Sequence, residues 1–181
     1  MEPIYLDNAA TTPMRKEVFE AMLPYFIEQY GNPSSIHGAS KGPRTAVREA
    51  RDAIARTLNA DASEIFFTSG GTESDNWALI SGAQMCASKG KHIIVSSIEH
   101  HAILETADYL VKQGYGVTKV PVDGDGIVRM DELKKAIRPD TVLISVMTAN
   151  NEIGTIQPIA EIGKLAHEHG ILFHTDAVLN T

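Results

Sequence analysis

The 181-residue chain contains a single cysteine, Cys86, few aromatic residues and no excess of positive charge. One cysteine excludes an intrachain disulfide framework and any metal site built from several cysteines. The helix-like sequence around Cys86 favours a small buried apolar residue over a reactive thiol. The formal net charge of −7 argues against nucleic acid or an anionic membrane as the main partner, because an acidic surface is repelled by both.

The sequence also lacks any apolar run long enough to span a membrane. Its amino terminus, MEPIYLDNAATTP, has neither the basic start nor the apolar stretch of a signal peptide. We therefore expect a soluble, cytoplasmic protein. Hydrophobic residues make up 43% of the chain, which is enough apolar material for one core, and no repeat or linker divides it.

From about residue 44 onward, helical patterns alternate with short apolar runs that are typical of strands. The apolar runs predict five strands, in EIFFTS, KHIIVSS, GVTKVPV, TVLISVM and ILFHT. The helical patterns lie in PRTAVREARDAIARTLN, TESDNWALISGAQMCASKG, HAILETADYLVKQG, MDELKKAIR and IAEIGKLAHEHG. This alternation predicts an α/β fold in which a mostly parallel sheet is covered by helices on both faces.

Polar or glycine-rich clusters follow four of the five predicted strands. They read TSGGTES, SSIEHH, TANNEIGT and HTDAV. Ligands of an open parallel sheet bind just beyond the carboxyl ends of its strands. The sequence therefore predicts a ligand site where these four clusters meet.

The cluster SGGTES is suited to binding an anion. Gly70 and Gly71 let the backbone approach closely, Thr72 adds a hydroxyl, and the following helix presents unpaired N–H groups. The spacing matches neither the dinucleotide fingerprint nor the P-loop, so a single phosphate monoester fits better. The alternative is that Thr72 to Asp75 forms only a capping box.

The remaining clusters place candidate side chains at the same edge, and each has a structural alternative. His100 can face the crevice or be an ordinary surface or core histidine. Asn151 can contact a ligand, or the Asn-Asn-Glu stretch can form a turn. Asp176 can be a buried carboxylate that needs a partner or a helix cap. A metal site is disfavoured, because His167 and His169 point to nearly opposite sides of a helix.

Pyridoxal 5'-phosphate (PLP) is a ligand that needs these groups together. The helix terminus would hold its phosphate, and the imidazole of His100 would lie against its ring. Asp176 would pair with the pyridine nitrogen and keep it protonated, which makes the ring an electron sink.

The chain also resembles the cysteine desulfurases of the NifS/IscS type, within the class V aminotransferase-like PLP enzymes. The resemblance covers essentially all 181 residues and is carried by YLDNAATTP, YGNPSSIHGASKG, IFFTSGGTESDNWAL, GKHIIVSSIEHHAIL, GYGVTKVPVDGDGIV, TVLISVMTANNEIGTIQPI and GILFHTDAV. It implies the PLP-dependent transferase fold type I, here incomplete because the large domain is truncated.

The resemblance also implies roles for individual residues. Gly71 and Thr72 would bind the phosphate, His100 would be the catalytic residue that stacks on the ring, Asn151 would contact cofactor or substrate, and Asp176 would contact the pyridine nitrogen. In that family, L-cysteine loses its sulfur to an active-site cysteine thiolate, leaving L-alanine and an enzyme persulfide. The sulfur passes to an acceptor protein such as an iron–sulfur scaffold, and the enzyme is typically a homodimer.

The sequence departs from the family pattern at three places. Leu179 stands where the family usually has a glutamine whose amide reaches the cofactor. None of the nine lysines lies in the Ser-x-His-Lys segment that anchors PLP, and Cys86 is too early to be the persulfide-carrying cysteine. A related selenocysteine lyase, or a non-catalytic remnant that serves as a binding or assembly subunit, are therefore alternatives.

These departures fit an amino-terminal portion of a desulfurase. Residues 1–15 would form an amino-terminal arm and residues 16–181 a partial large PLP-binding domain, with the small domain absent. A sheet with five of seven expected strands would leave an apolar edge exposed. We therefore expect the chain to bury this edge in a homodimer or against the missing half.

Overall fold

The computed structural model describes residues 4–178 of the chain. The chain divides into two compact units, with the boundary between residues 67 and 68. The first unit contains helix α1 (Lys16–Ile27) and helix α2 (Lys41–Leu58), with short 3-10 helices at Gly38–Ser40 and Ala62–Glu64. Helix α2 matches the amphipathic pattern in the sequence, whereas α1 precedes the part of the chain where the pattern predicts elements. Because α1 buries none of its residues within the described structure, most of its apolar side chains face outward.

The second unit alternates helices with strands, as the sequence predicts. Its elements are α3 (Gly71–Met85), β1 (His92–Ser96), α4 (His101–Lys112), β2 (Gly116–Val120), α5 (Met130–Ala136), β3 (Thr141–Ser145), α6 (Ile159–Glu168) and β4 (Leu172–His174). Cys86 follows α3 directly and packs, half-buried, against the core. It lies one residue beyond the helix and is partly rather than fully buried, whereas its sequence context favours a small buried apolar residue.

The four strands form one parallel sheet in the order β2-β1-β3-β4. The predicted first strand, in EIFFTS, is wrong for this structure, because residues 65–68 belong to no helix or strand. An apolar run shows that a segment tends to be buried, but a strand also needs a neighbour to pair its backbone N–H and C=O groups. Phe66 and Phe67 are instead 65% and 51% exposed.

Apolar clusters cover both faces of the sheet, as expected for a parallel sheet. One face packs against α3 and α4 and includes Leu79, Ile93, Val95, Ile103 and Leu110. The other packs against α5 and α6 and includes Ile94, Val120, Leu133, Ile144 and Ile162. Ile93 and Ile94 therefore lie on opposite faces of β1, as the alternation of side chains along a strand requires. Within residues 4–178, no helix is both long and apolar enough to cross a membrane.

A fully buried histidine lies at the amino end of the sheet, away from the predicted site. His92 Nδ1 lies 2.7 Å from Thr141 Oγ1, and His92 Nε2 lies 2.8 Å from Thr118 Oγ1. Burial, assisted by the positive charge of Arg138, lowers the pKa of His92 below its ordinary value. The imidazole is therefore neutral at pH 7. Its hydrogen bonds to the two threonine hydroxyls link β1 to β3 and to β2.

This histidine predicts a loss of stability in mild acid. Its pKa is lower in the folded chain than in the unfolded chain, so the unfolded chain binds the proton more readily as the pH falls below about 6.5. We therefore expect the free energy of unfolding, measured by urea denaturation, to decrease as the pH is lowered through this range. The decrease should be less steep for His92→Asn than for the wild-type chain. The exposed control His37→Asn should keep the wild-type slope, and equal slopes for all three chains would contradict the prediction.

Candidate active site

Helix α3 begins at the carboxyl edge of the sheet with unpaired backbone donors. Its N-cap is Gly70, which has no side chain to cap the helix, and the N–H groups of Gly71, Thr72 and Glu73 have no hydrogen-bond partner within residues 4–178. The capping-box alternative is wrong, because Thr72 and Asp75 both lie inside the helix. Glu73 Oε2 instead accepts hydrogen bonds from the backbone N–H and the hydroxyl of Ser69, each at 2.6 Å.

Gly71 lies against the segment that follows β4. A Cβ atom at this position would come within 2.8 Å of Val178 Cγ2, which is tighter than ordinary van der Waals contact. Any larger residue would have to displace Val178. A helix N-terminus with free N–H groups and no obstructing side chain is a ready site for an anion, because the helix dipole adds to the donors.

Asp176 lies just beyond β4, half-buried, and is fixed by two hydrogen bonds. Its carbonyl oxygen accepts from Thr148 N at 2.8 Å, which joins it to the segment after β3. Its Oδ1 accepts from Val178 N at 3.1 Å, so the cap-like role that the sequence left open does occur. Its Oδ2 has no hydrogen-bond partner in the described part of the chain and can accept one from a ligand.

Asp75 is a second carboxylate at this edge. It is 4% exposed, and His174 Nε2 lies 3.6 Å from its Oδ1. Burial, with a further contribution from the charge of Asp176, raises the pKa of Asp75 to about 6. Burial also lowers the pKa of His174, although Asp176 opposes this. At pH 7 the imidazole is therefore neutral, so its contact with Asp75 is not an ion pair.

Glu99 is the third carboxyl group, and it lies in the loop after β1. Its Oε1 accepts a hydrogen bond from the hydroxyl of Ser96 and another, at 2.9 Å, from Met147 N just after β3. Its Oε2 is buried and is the one such side-chain atom within residues 4–178 that has no partner. Burial is the main cause that raises the pKa of Glu99 to about 7, and the charges of Asp176 and Asp75 add to it.

His100 is the N-cap of α4 and is exposed at the same edge. Its Nδ1 accepts a hydrogen bond from Ala102 N at 3.1 Å, which fixes the ring at the start of the helix. Its ring lies edge-on to that of His101, with centroids 6.3 Å apart.

The two asparagines after β3 have different environments. Asn150 is buried, donates from Nδ2 to Ile98 O at 2.9 Å, and accepts from the N–H groups of Glu152 and Ile153. It forms the turn that the sequence left as an alternative and ties this loop to the loop after β1. Asn151 is exposed, and its Nδ2 donates to Glu152 Oε1 at 3.1 Å.

The structure brings the start of α3, the loop after β1 and the segment after β4 to one edge of the sheet. Of the residues expected there, Gly71 contacts the segment that contains Asp176, and His100 directly follows Glu99. Asp75 and Glu99 also lie at this edge, although the sequence did not predict them there. Glu99 stands in one of the polar clusters that follow a strand, so its position was a usable signal, whereas the burial of Asp75 depends on how α3 packs.

The charges at this edge define the kind of ligand that fits. Three carboxyl groups cluster without a Lys or Arg partner in the described chain, beside a helix terminus that attracts anions. A ligand with an anionic group at one end and a protonated ring nitrogen at the other complements both features. Within residues 4–178, no group of three or more His, Cys, Asp or Glu side chains is arranged to hold a metal ion.

The class of protein is defined by the fold, a parallel α/β sheet with the N-terminus of a helix and several carboxyl groups at its carboxyl edge. The particular family follows from comparison with known proteins: the chain belongs to the aminotransferase class-V family, whose model matches residues 4–181. A cysteine desulfurase IscS of Dictyoglomus turgidum is 58% identical over 175 residues, which is 97% of this chain. The fold is therefore that of PLP-dependent type I enzymes.

Two solved structures are also similar to this chain. A NifS-like protein superposes with a TM-score of 0.93 at 43% identity, covering 96% of this chain. A structure described as SspA in complex with cysteine superposes with a TM-score of 0.91, also at 43% identity and 96% coverage. The chain spans 44% of the IscS relative, 48% of the NifS-like protein and 50% of SspA, so it corresponds to about half of each.

Proposed function

We propose that the chain is the amino-terminal, cofactor-cradling portion of a cytoplasmic, PLP-dependent cysteine desulfurase. The complete enzyme would remove sulfur from L-cysteine, leave L-alanine and pass the sulfur to an acceptor protein such as an iron–sulfur scaffold. The observation that carries the proposal is that a helix terminus with unpaired N–H groups lies against the segment that contains the half-buried carboxylate of Asp176. The family membership and the identity to desulfurases support it.

The environments of Gly71, Thr72 and Asp176 support the roles proposed for them. The N–H groups at Gly71 and Thr72 would donate to the phosphate of PLP, and the free Oδ2 of Asp176 would hold the proton of the ring nitrogen. His100 would lie against the ring and Asn151 would contact cofactor or substrate. When bound, PLP supplies an electron sink for bond cleavage at the amino acid.

The chain alone would lack two groups that the chemistry needs. None of its nine lysines stands in a Ser-x-His-Lys segment, and Cys86 packs against the core after α3. We therefore propose that residues 1–15 form an arm and residues 16–181 part of the large domain, completed by a further portion. Leu179, at the usual glutamine position, lies outside the described residues.

Association with another chain is part of the proposal. Several large apolar side chains of the first unit are exposed, among them Phe19, Phe26, Ile27, Tyr30 and Ile36. Exposed apolar area on this scale favours an interface over a free surface. A homodimer or assembly with the missing portion would cover it.

Cysteine is favoured over selenocysteine because a similar solved structure contains bound cysteine. The release of alanine from the two substrates, measured on the complete enzyme, would separate a desulfurase from a selenocysteine lyase. A non-catalytic binding subunit would instead bind its partner without releasing alanine.

The test of the proposed site uses pyridoxamine 5'-phosphate (PMP), which carries the same ring and phosphate and needs no lysine. We expect PMP to bind the 181-residue chain at one molecule per chain in an absorbance titration. PLP should bind reversibly, so that borohydride leaves no stoichiometric label on any lysine. Absence of PMP binding would contradict the proposed site, and stoichiometric labelling of one lysine would contradict the assignment of the anchoring lysine to another segment.

A further inference from the structure

Glu99 lies where the topology of the sheet changes direction. From β1 the chain crosses to β2 on one side and later enters β3 on the other side, so the crevice between the carboxyl ends of β1 and β3 is the switch point. The hydrogen bond that Met147 N donates to Glu99 Oε1 spans this crevice. A second hydrogen bond, from Asn150 Nδ2 to Ile98 O, lies beside it. Glu99 therefore joins the two loops that frame the predicted ligand site.

The second oxygen of Glu99 has no partner. The residue is 5% exposed, and Oε2 is buried without a hydrogen bond in the described part of the chain. A buried carboxylate oxygen without a donor is unfavourable, and a proton on that oxygen removes the charge. The hydrogen bonds that Ser96 and Met147 donate to Oε1 are retained when Oε2 is protonated.

The groups around Glu99 are acidic or neutral. Asp75 approaches from α3 and Asp176 from the segment after β4, and both charges act on Glu99. His174, also from β4, is neutral at pH 7, and His100 and His101 at the start of α4 are exposed. The negative charges of Asp75 and Asp176 favour the protonated form of Glu99, and a cation bound among these groups would favour its carboxylate.

We propose that Glu99 is a positioning residue that holds a proton at the switch point until a ligand with a protonated ring nitrogen, such as PLP, binds beside Asp176. On binding, the cationic ring offsets the charge of Asp176, and Glu99 releases its proton to solvent. The positive charge of the ring would then offset part of the combined negative charge of Asp176 and Glu99. The identity of the ligand rests on the proposed function, whereas the proton on Glu99 does not.

The proton can be located without any ligand. We expect the side-chain carboxyl carbon of Glu99, observed by ¹³C NMR in the 181-residue chain and assigned by its absence from Glu99→Gln, to titrate with a midpoint near 7. Asp176→Asn should lower the midpoint by about one pH unit, because it removes a neighbouring negative charge. Ser96→Ala should raise the midpoint, because it removes a donor to the carboxylate.

These opposite shifts show whether the proton on Glu99 responds to the charge of Asp176. If the two groups were electrostatically independent, Asp176→Asn would not move the midpoint of Glu99. A midpoint near the ordinary glutamate value of about 4.3, or a midpoint that Asp176→Asn leaves unchanged, would overturn the proposal whatever the chain binds.

The coupling to the ligand is tested by counting protons when PMP binds. Between pH 6 and pH 7, calorimetry in buffers of different ionisation enthalpy should show that the wild-type chain releases more protons than Glu99→Gln. The control Glu105→Gln, at an exposed position on α4, should match the wild type. PMP binding with equal proton release by all three chains would overturn the coupling but leave the proposed function intact. If PMP bound none of them, both the proposed function and the coupling would fail, and the NMR titration would still decide whether Glu99 holds the proton.

Discussion

Replacing Asp176 by asparagine is expected to weaken PMP binding by about 10- to 100-fold, the range that corresponds to one charge-assisted hydrogen bond. The free Oδ2 of the wild-type carboxylate can accept the ring N–H and offset its charge, whereas an amide can offer the geometry without the charge. Asparagine keeps an oxygen that can accept from Val178 N, so the local backbone should be retained. The measurement is the Kd of PMP from absorbance titration at fixed pH and salt.

The control for this variant is Asp125→Asn, at an exposed position in the turn before α5. It changes the net charge of the chain by the same amount and should leave the Kd of PMP unchanged. Urea denaturation of both variants shows whether either has lost stability. If Asp176→Asn bound PMP as tightly as the wild type, the carboxylate would be no more than a cap for Val178, and the electrostatic basis of the site would be lost.

The helices and strands of the second unit could be predicted from the sequence because their apolar residues follow regular periods. Ile93 and Ile94 are an example. Both stand in one short apolar run, which predicts a strand, and the structure buries them on opposite faces of that strand. The run EIFFTS carries the same kind of signal, yet it forms no strand here. Pairing depends on a neighbouring strand, and a local pattern contains no information about whether that neighbour is present.

The candidate site was predictable only in part for a related reason. Glycines, histidines and asparagines that follow strands are visible in the sequence, and the parallel topology brings them to one edge. Burial of a carboxyl group is not visible, because Asp75 and Glu99 have the sequence signature of ordinary exposed acids. Their raised pKa values arise from how α3 and the loop after β1 pack, which is decided by contacts far apart in the chain.

Truncation of Ile94 to alanine is expected to destabilise the chain by about 2–5 kcal/mol, the usual cost of removing a large buried aliphatic side chain. Ile94 is fully buried in the middle of β1, in the cluster that also contains Leu133, Ile144 and Ile162. The free energy of unfolding of a native domain is only about 5–15 kcal/mol, so the expected loss is a large fraction of the total stability. Urea denaturation measures it directly.

The matched control is Ile156→Ala, which deletes the same atoms from a side chain that is 70% exposed. It should change the free energy of unfolding by no more than about 0.5 kcal/mol. Equal effects of the two substitutions would show that β1 is not the centre of the core. Because β1 leads directly to Ser96 and Glu99, Ile94→Ala should also weaken PMP binding, whereas Ile156→Ala should not.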